Sequence, residues 1–243
     1  MTTGERRWLY LSIVLSTSWW IFIYGVVIGS IFTFSLLFHE YGHYYWMGRE
    51  GIKEKKMMMV PPFGAIAIAK EPWPSLGSEA RIALAGPGFG FISALTLILV
   101  WLISGSYAIR IAIFLVCLVN LFNLCLPIAV LDGGRVIKSI LLSLNTKLGI
   151  GFYYFSFIVL GLFVIKSMSI FMILIGFMIY NILSDDFQFT RYKINSGEPL
   201  IAMSGFDMFI YVGWYLIITA GLAAILIQNN LGYTELFNFI RLG

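Results

Sequence analysis

The chain has 243 residues, of which 60% are hydrophobic and only 12% charged, and its mean hydropathy is +0.90. Soluble domains carry roughly 45–50% apolar and about 25% charged residues, so these proportions exclude a soluble enzyme and point to an integral membrane protein. The formal charge of +4 is spread over the segments between apolar runs, which fits membrane orientation and excludes a nucleic-acid partner.

Arg6 and Arg7 precede an apolar run, but no Ala-x-Ala-like cleavage site follows, so a retained anchor is expected. From Trp8 to Phe38 there is no charged residue, and the run leads straight into His39-Glu40-Tyr41-Gly42-His43. As one helix, residues 8–47 would be about 60 Å long, twice a hydrocarbon core of roughly 30 Å. The run is therefore divided at Tyr24-Gly25 into two spans, 8–24 and 26–47. A polar segment with Arg49, Lys53, Lys55, Lys56 and Lys70 follows. Inside it, residues 57–69 form an apolar island too short and too broken by Pro61, Pro62 and Gly64 to span. Its small/large alternation over Ala65–Ala69 reads as a strand of a hairpin dipping into the membrane.

Further spans are expected at 81–103, 107–127, 149–165, 168–183 and 207–227, with a polar loop from Ser184 to Gly205. Gly86 and Gly90, in the span that opens near Ala85-Gly86-Pro87, form a small-xxx-small pair that admits a close neighbour. The expected fold is all-α and polytopic, with six to seven transmembrane helices and a short re-entrant β element. Placing the 48–78 segment in the cytoplasm also puts Arg6, Arg7, Arg135, Lys138, Lys147, Arg191 and Lys193 there. Only Arg110, Lys166 and Arg241 remain on the other side, which satisfies the positive-inside rule and favours the division at Gly25.

His39 and His43 are the only histidines. His-Glu-x-x-His on a helix sets both imidazoles on one face, where they can share one Zn²⁺, with Glu40 as general base towards water. A catalytic zinc keeps three protein ligands and one open position, so the third must be a carboxylate or a cysteine. Cys117 and Cys125 lie in one apolar run with no Cys-x-x-Cys pairing and read as buried apolar residues. Asp132 stands out, behind Pro127 and before Gly133-Gly134. The proline ends the helix and the glycines permit a bend that turns the carboxylate inward. Charge parity puts it on the same membrane side as the histidines. Asn120 and Asn123 share a helix face near this point; they could bind substrate backbone or an oxyanion, or hold helices together.

In the order and spacing of these motifs the chain resembles the site-2 protease family of intramembrane zinc metalloproteases, over residues 26–145. The likeness rests on His39-Glu40-x-x-His43, Pro62-Phe63-Gly64, Ala85-Gly86-Pro87, and Asn123 through Leu131-Asp132-Gly133-Gly134-Arg135. It is strongest to the short subgroup that includes the sporulation-factor processing proteases. The resemblance implies His39, His43 and Asp132 as ligands of one zinc per chain and Glu40 as catalytic base. It also implies a substrate-receiving β element including Phe63, Gly64 and Ala65, with Asn123 as a further substrate contact. The chain departs from the family pattern in three places, one of them Ala129, which stands where a second proline is common. Asn123 stands four residues before Pro127 instead of three, and Gly90 occupies a position where many members carry asparagine.

The resulting expectation is a single transmembrane protease domain over 1–243, with its catalytic core at 26–145 and extra spans over 149–227. It would cut a membrane-anchored protein in or beside its transmembrane segment. It would lie in a prokaryotic cell membrane with the site towards the cytoplasm. Two other readings exist. A prenyl-protein protease would take its third ligand from a later glutamate, Glu50, Glu54, Glu71, Glu79, Glu198 or Glu235. A non-catalytic adaptor or transporter would need no intact site, and transporters often carry an internal repeat, which this chain lacks.

Overall fold

A computed structural model of the chain describes residues 3–60, 64–167 and 169–229. Its elements are α1 (Thr3–Arg49), β1 (Lys55–Val60), β2 (Gly64–Ala69), α2 (Leu76–Ser104), α3 (Tyr107–Cys125), α4 (Asp132–Leu144), α5 (Thr146–Ser167), α6 (Ile170–Ser196) and α7 (Gly205–Asn229). Among the described residues, five helices, α1, α2, α3, α5 and α7, are long and apolar enough to cross a membrane. Large apolar side chains stand outward on them, Phe22 at 85% and Ile103 at 88% exposure, a surface that lipid covers and water does not tolerate over large areas. The chain is an all-α polytopic membrane protein with a small β element.

Helix α1 contains the two expected spans. At its middle Gly25 adopts φ +78° and ψ 168°, a conformation open to glycine and costly for other residues. The chain turns back there: the rings of Trp20 and Phe32 lie 5.0 Å apart, where a straight helix would separate those residues by about 18 Å. Gly29 lets the two halves touch, since a methyl group on it would lie 2.5 Å from the Ile21 nitrogen.

The expected hairpin is present. Strands β1 and β2 pair antiparallel, with Met59 opposite Ala65 and Met57 opposite Ala67. The Glu71 carboxylate accepts from the backbone nitrogens of Lys53 (3.4 Å) and Glu54 (3.0 Å), tying the base of the hairpin.

One expectation on loops is corrected. The stretch from Ser184 is helical as far as Ser196, because α6 runs on past its apolar half, and ends only at Gly197. That glycine has φ +73°, and its N–H donates to the Ile194 and Lys193 carbonyls, a left-handed helix stop. The residues after Asp132, where no span was expected, form α4. A 13-residue amphipathic helix is invisible to a search for spanning runs, since only one face is apolar.

The contacts divide the chain into two compact units: residues 1–72, 85–122 and 217–243, and residues 73–84 and 123–216. In the first, the Met59 nitrogen donates to Ser12 Oγ at 3.2 Å, fixing the sheet on α1. The Ser35 and Ser93 hydroxyls, 2.9 Å apart, join α1 to α2. Arg110 donates to the Asn229 carbonyl at 2.6 Å, joining α3 to α7. In the second, one apolar cluster gathers Leu76, Ala80, Val136, Leu142, Met203 and Tyr211. Another gathers Ile128, Phe152, Tyr153, Leu160, Ile179 and Leu183. Cys117 is buried as expected, but Cys125, the last residue of α3, is exposed.

Candidate metal centre

His39 and His43 lie one turn apart on the second half of α1, 4% and 5% exposed. Their Nε2 atoms face each other at 3.1 Å. Two ligands at about 2.05 Å from a tetrahedral metal stand about 3.3 Å apart, so the pair is already near the separation that one ion requires.

Asn120 sets which nitrogen of His39 is available. Its Nδ2 donates to the Val116 carbonyl at 2.8 Å, which fixes the amide orientation. Its Oδ1, an acceptor only, lies 2.8 Å from His39 Nδ1. His39 must therefore carry its proton on Nδ1 and present the Nε2 lone pair to a metal. Removing such an outer partner typically costs 10–100-fold in metal affinity. Asn120→Ala is expected to weaken zinc binding by about that factor, measured by competition with a chelating dye.

Two glycines of α2 make this arrangement possible. A Cβ at Gly90 would collide with the Asn120 amide, and one at Gly86 would collide with the His43 ring and lie 2.7 Å from His39 Nε2. Close packing continues at Gly42, where a Cβ would meet the Ala85 carbonyl oxygen at 2.6 Å. The small-xxx-small pair therefore makes room for the imidazoles and for the amide that orients one of them. Gly90, the departure from the family pattern, provides space for Asn120 to reach in from α3.

Asp132 is the first residue of α4 and is 6% exposed. A carboxylate there is favoured by the positive end of the helix dipole. The glycines behind it act differently from the expectation. Neither has a positive φ among the described residues; instead a Cβ on Gly133 would collide with the Leu124 carbonyl, and one on Gly134 with that of Ile128. They admit close packing where unusual backbone angles were expected.

His39, His43 and Asp132 are all buried, and each offers one ligand atom within 4.8 Å of the others. Two imidazole nitrogens and one carboxylate oxygen, with a glutamate adjacent in sequence, form the donor set of a catalytic zinc site. The cradle at Gly86, which a methyl group would fill, fits an ion beside the two Nε2 atoms. Glu40 is half-buried beside His39.

The other expected site residues are placed less centrally. Gly64, buried with φ +116°, and Ala65, half-buried, open β2. Phe63 lies outside the described residues. Asn123 is half-buried on α3, one turn beyond Asn120. Two glutamates that a different zinc site would need are already engaged: Glu71 by the hairpin base and Glu79 by Lys138 and Ser139. Sequence reasoning left Asn120 with several roles because its partner, His39, is 81 residues away.

The family model described as peptidase family M50 matches residues 28–110. A zinc metalloprotease of Methanocaldococcus jannaschii is 30% identical over 171 residues, which is 65% of this chain and 48% of that protein. The chain thus spans about half the length of the curated relative it matches. A solved structure described as a site-2 protease from the same organism is 26% identical, covering 73% of this chain and 86% of that one, with a TM-score of 0.49. His39, Glu40 and His43 lie inside the stretch that matches the peptidase family M50 model, and over that stretch the chain is similar to this family.

Proposed function

We propose that the chain is an intramembrane zinc metalloprotease, acting as one transmembrane protease domain over residues 1–243. It hydrolyses a peptide bond in or next to the transmembrane segment of a membrane-anchored protein. The observation that carries this reading is the convergence of buried His39, His43 and Asp132 with Glu40 beside the first of them. Bound there, zinc supplies a Lewis acid that polarises a carbonyl and acidifies water. The two imidazoles and the Asp132 carboxylate hold the ion, and Asn120 keeps His39 in its ligating tautomer. Glu40 takes the proton of the attacking water and passes it to the nitrogen of the leaving amine.

A helical substrate hides its carbonyls in its own hydrogen bonds and must unwind before attack. The hairpin supports a way to compensate the freed groups. The Lys70 nitrogen donates to the Glu54 carbonyl at 2.8 Å, so alternate pairs, including Met58–Ile66, exchange hydrogen bonds across the ladder. Met59, Met57 and Lys55 turn theirs outward, and Met59 spends its N–H on Ser12. The backbone groups of Ala65, Ala67 and Ala69 then point to the outer edge of β2, where an extended substrate adds as a third strand. Phe63, Gly64 and Asn123 are assigned to the same substrate path.

The basic residues at Arg49–Lys70, Arg135, Lys147, Arg191 and Lys193 support a cytoplasmic placement of the site. The resemblance to the sporulation-processing subgroup supports a prokaryotic cell membrane.

The test uses the full chain in liposomes with single-span membrane-anchored candidates. The expected result is a cut in or next to the span, stopped by a zinc chelator and restored by zinc. Ala67→Pro removes an N–H the hairpin does not use and is expected to raise KM, whereas Ile66→Pro breaks the hairpin. Cleavage insensitive to chelation overturns the proposal.

A further inference from the structure

A buried charged cluster lies in the second unit, apart from the metal ligands. Lys138, in the middle of α4, is 2% exposed; its Nζ lies 2.6 Å from Glu79 Oε1 and 2.8 Å from Asp186 Oδ2. Ser139 Oγ donates to the second Glu79 oxygen at 3.1 Å. Tyr153 donates its hydroxyl to Asp186 Oδ2 at 2.6 Å. The first turn of α2, the middle of α4, α5 and the polar half of α6 therefore meet on one ammonium group.

The surroundings favour the charged forms of Lys138 and Asp186. Burial opposes charge on Lys138, but the carboxylates of Asp186 and Glu79 more than offset this and hold its ammonium above the ordinary lysine value. Burial alone would raise the Asp186 carboxyl, yet the Lys138 charge and the hydrogen bonds from Lys138 and Tyr153 hold it below the usual carboxylate range.

Such a cluster is a poor source of stability. Removing ions from water costs several kcal/mol each, and neutral side chains of similar volume often do as well or better. What it supplies is placement. Each residue of a helix advances by 1.5 Å and about 100°, so a slip of α4 by one residue turns Lys138 away from both carboxylates. Apolar packing along α4 tolerates such slips far better. Asp132 opens the same helix, about 9 Å before Lys138 along the axis, with Gly133 and Gly134 pressed on the Leu124 and Ile128 carbonyls.

We propose that Lys138, clamped by Glu79 and Asp186, is a positioning residue: an ion-pair lock that sets the height and rotation of α4 and thereby the placement of Asp132. The inference rests on the assignment of Asp132 as third metal ligand made above.

The test replaces all three charges at nearly constant volume, in the full-length protein carrying Glu79→Gln, Lys138→Met and Asp186→Asn. Three quantities are read: the unfolding midpoint of the metal-free protein, zinc affinity by competition, and the visible spectrum of the Co²⁺-loaded protein. A lock for placement leaves the midpoint unchanged or higher, weakens zinc binding by about tenfold or more, and shifts the Co²⁺ bands. Unchanged affinity and spectrum overturn the proposal. So does a variant that no longer folds, since the cluster is then a stability element. Asp132→Ala in the parent is the control: if zinc affinity survives that change, the ligand assignment fails, independently of the lock.

Discussion

Replacing Glu40 with Gln is expected to lower peptide cleavage by about 10²–10⁴-fold, the usual contribution of a positioned general base, while one zinc per chain stays bound. The two side chains have nearly the same shape, and Glu40 is not among the three groups whose ligand atoms converge. The amide cannot accept a proton at neutral pH, so water is no longer activated and the leaving amine receives no proton. The loss falls on kcat, with KM little changed, because Glu40 acts in the transition state and not in holding substrate. A Gln variant cleaving at the parental rate would remove Glu40 from the reaction.

Gly86→Val is expected to abolish metal binding without unfolding the chain. Even a methyl group at Gly86 would run into the His43 ring and approach His39 Nε2 to 2.7 Å. The rings are the mobile partners, so they swing aside and the two Nε2 atoms cease to converge. Zinc affinity should fall at least 100-fold and cleavage with it, while helix content by circular dichroism stays at the parental level. Gly88→Ala, two residues along α2, is the matched control. Its Cβ would meet nothing closer than Ile218 Cδ1 at 3.8 Å, so zinc binding should be unaffected. Equal loss in both variants would mean that α2 tolerates no side chains there, and the cradle at Gly86 would have no special part.

Much of this was legible in the sequence because it was written in local spacing. The i, i+4 histidines declare a shared helix face, and the length of residues 8–47 against a bilayer demands the reversal that Gly25 supplies. The alternation around Ala65–Ala69 announces a strand. Asp132 could be reached by counting carboxylates, since zinc needs a third ligand. Three features were hidden because they depend on pairs far apart in the chain. Asn120 meets His39 across 81 residues, and Lys138 meets Glu79 across 59. The third, α4, carries its apolar residues on one face only, so a search for spanning runs passes over it. The glycines illustrate the same limit: Gly133 and Gly134 looked like a source of backbone freedom, yet their use is the absence of a Cβ against two carbonyls.

The central claim is that two histidines of the α1 motif and one distant aspartate share a single ion. Zinc content after exhaustive dialysis tests it most directly, measured on the purified parent and on His39→Ala, His43→Ala and Asp132→Ala. One zinc per chain in the parent and none in any of the three variants is the predicted result. A folded Asp132→Ala protein that keeps one zinc, above all if Glu198→Ala loses it, would contradict the account.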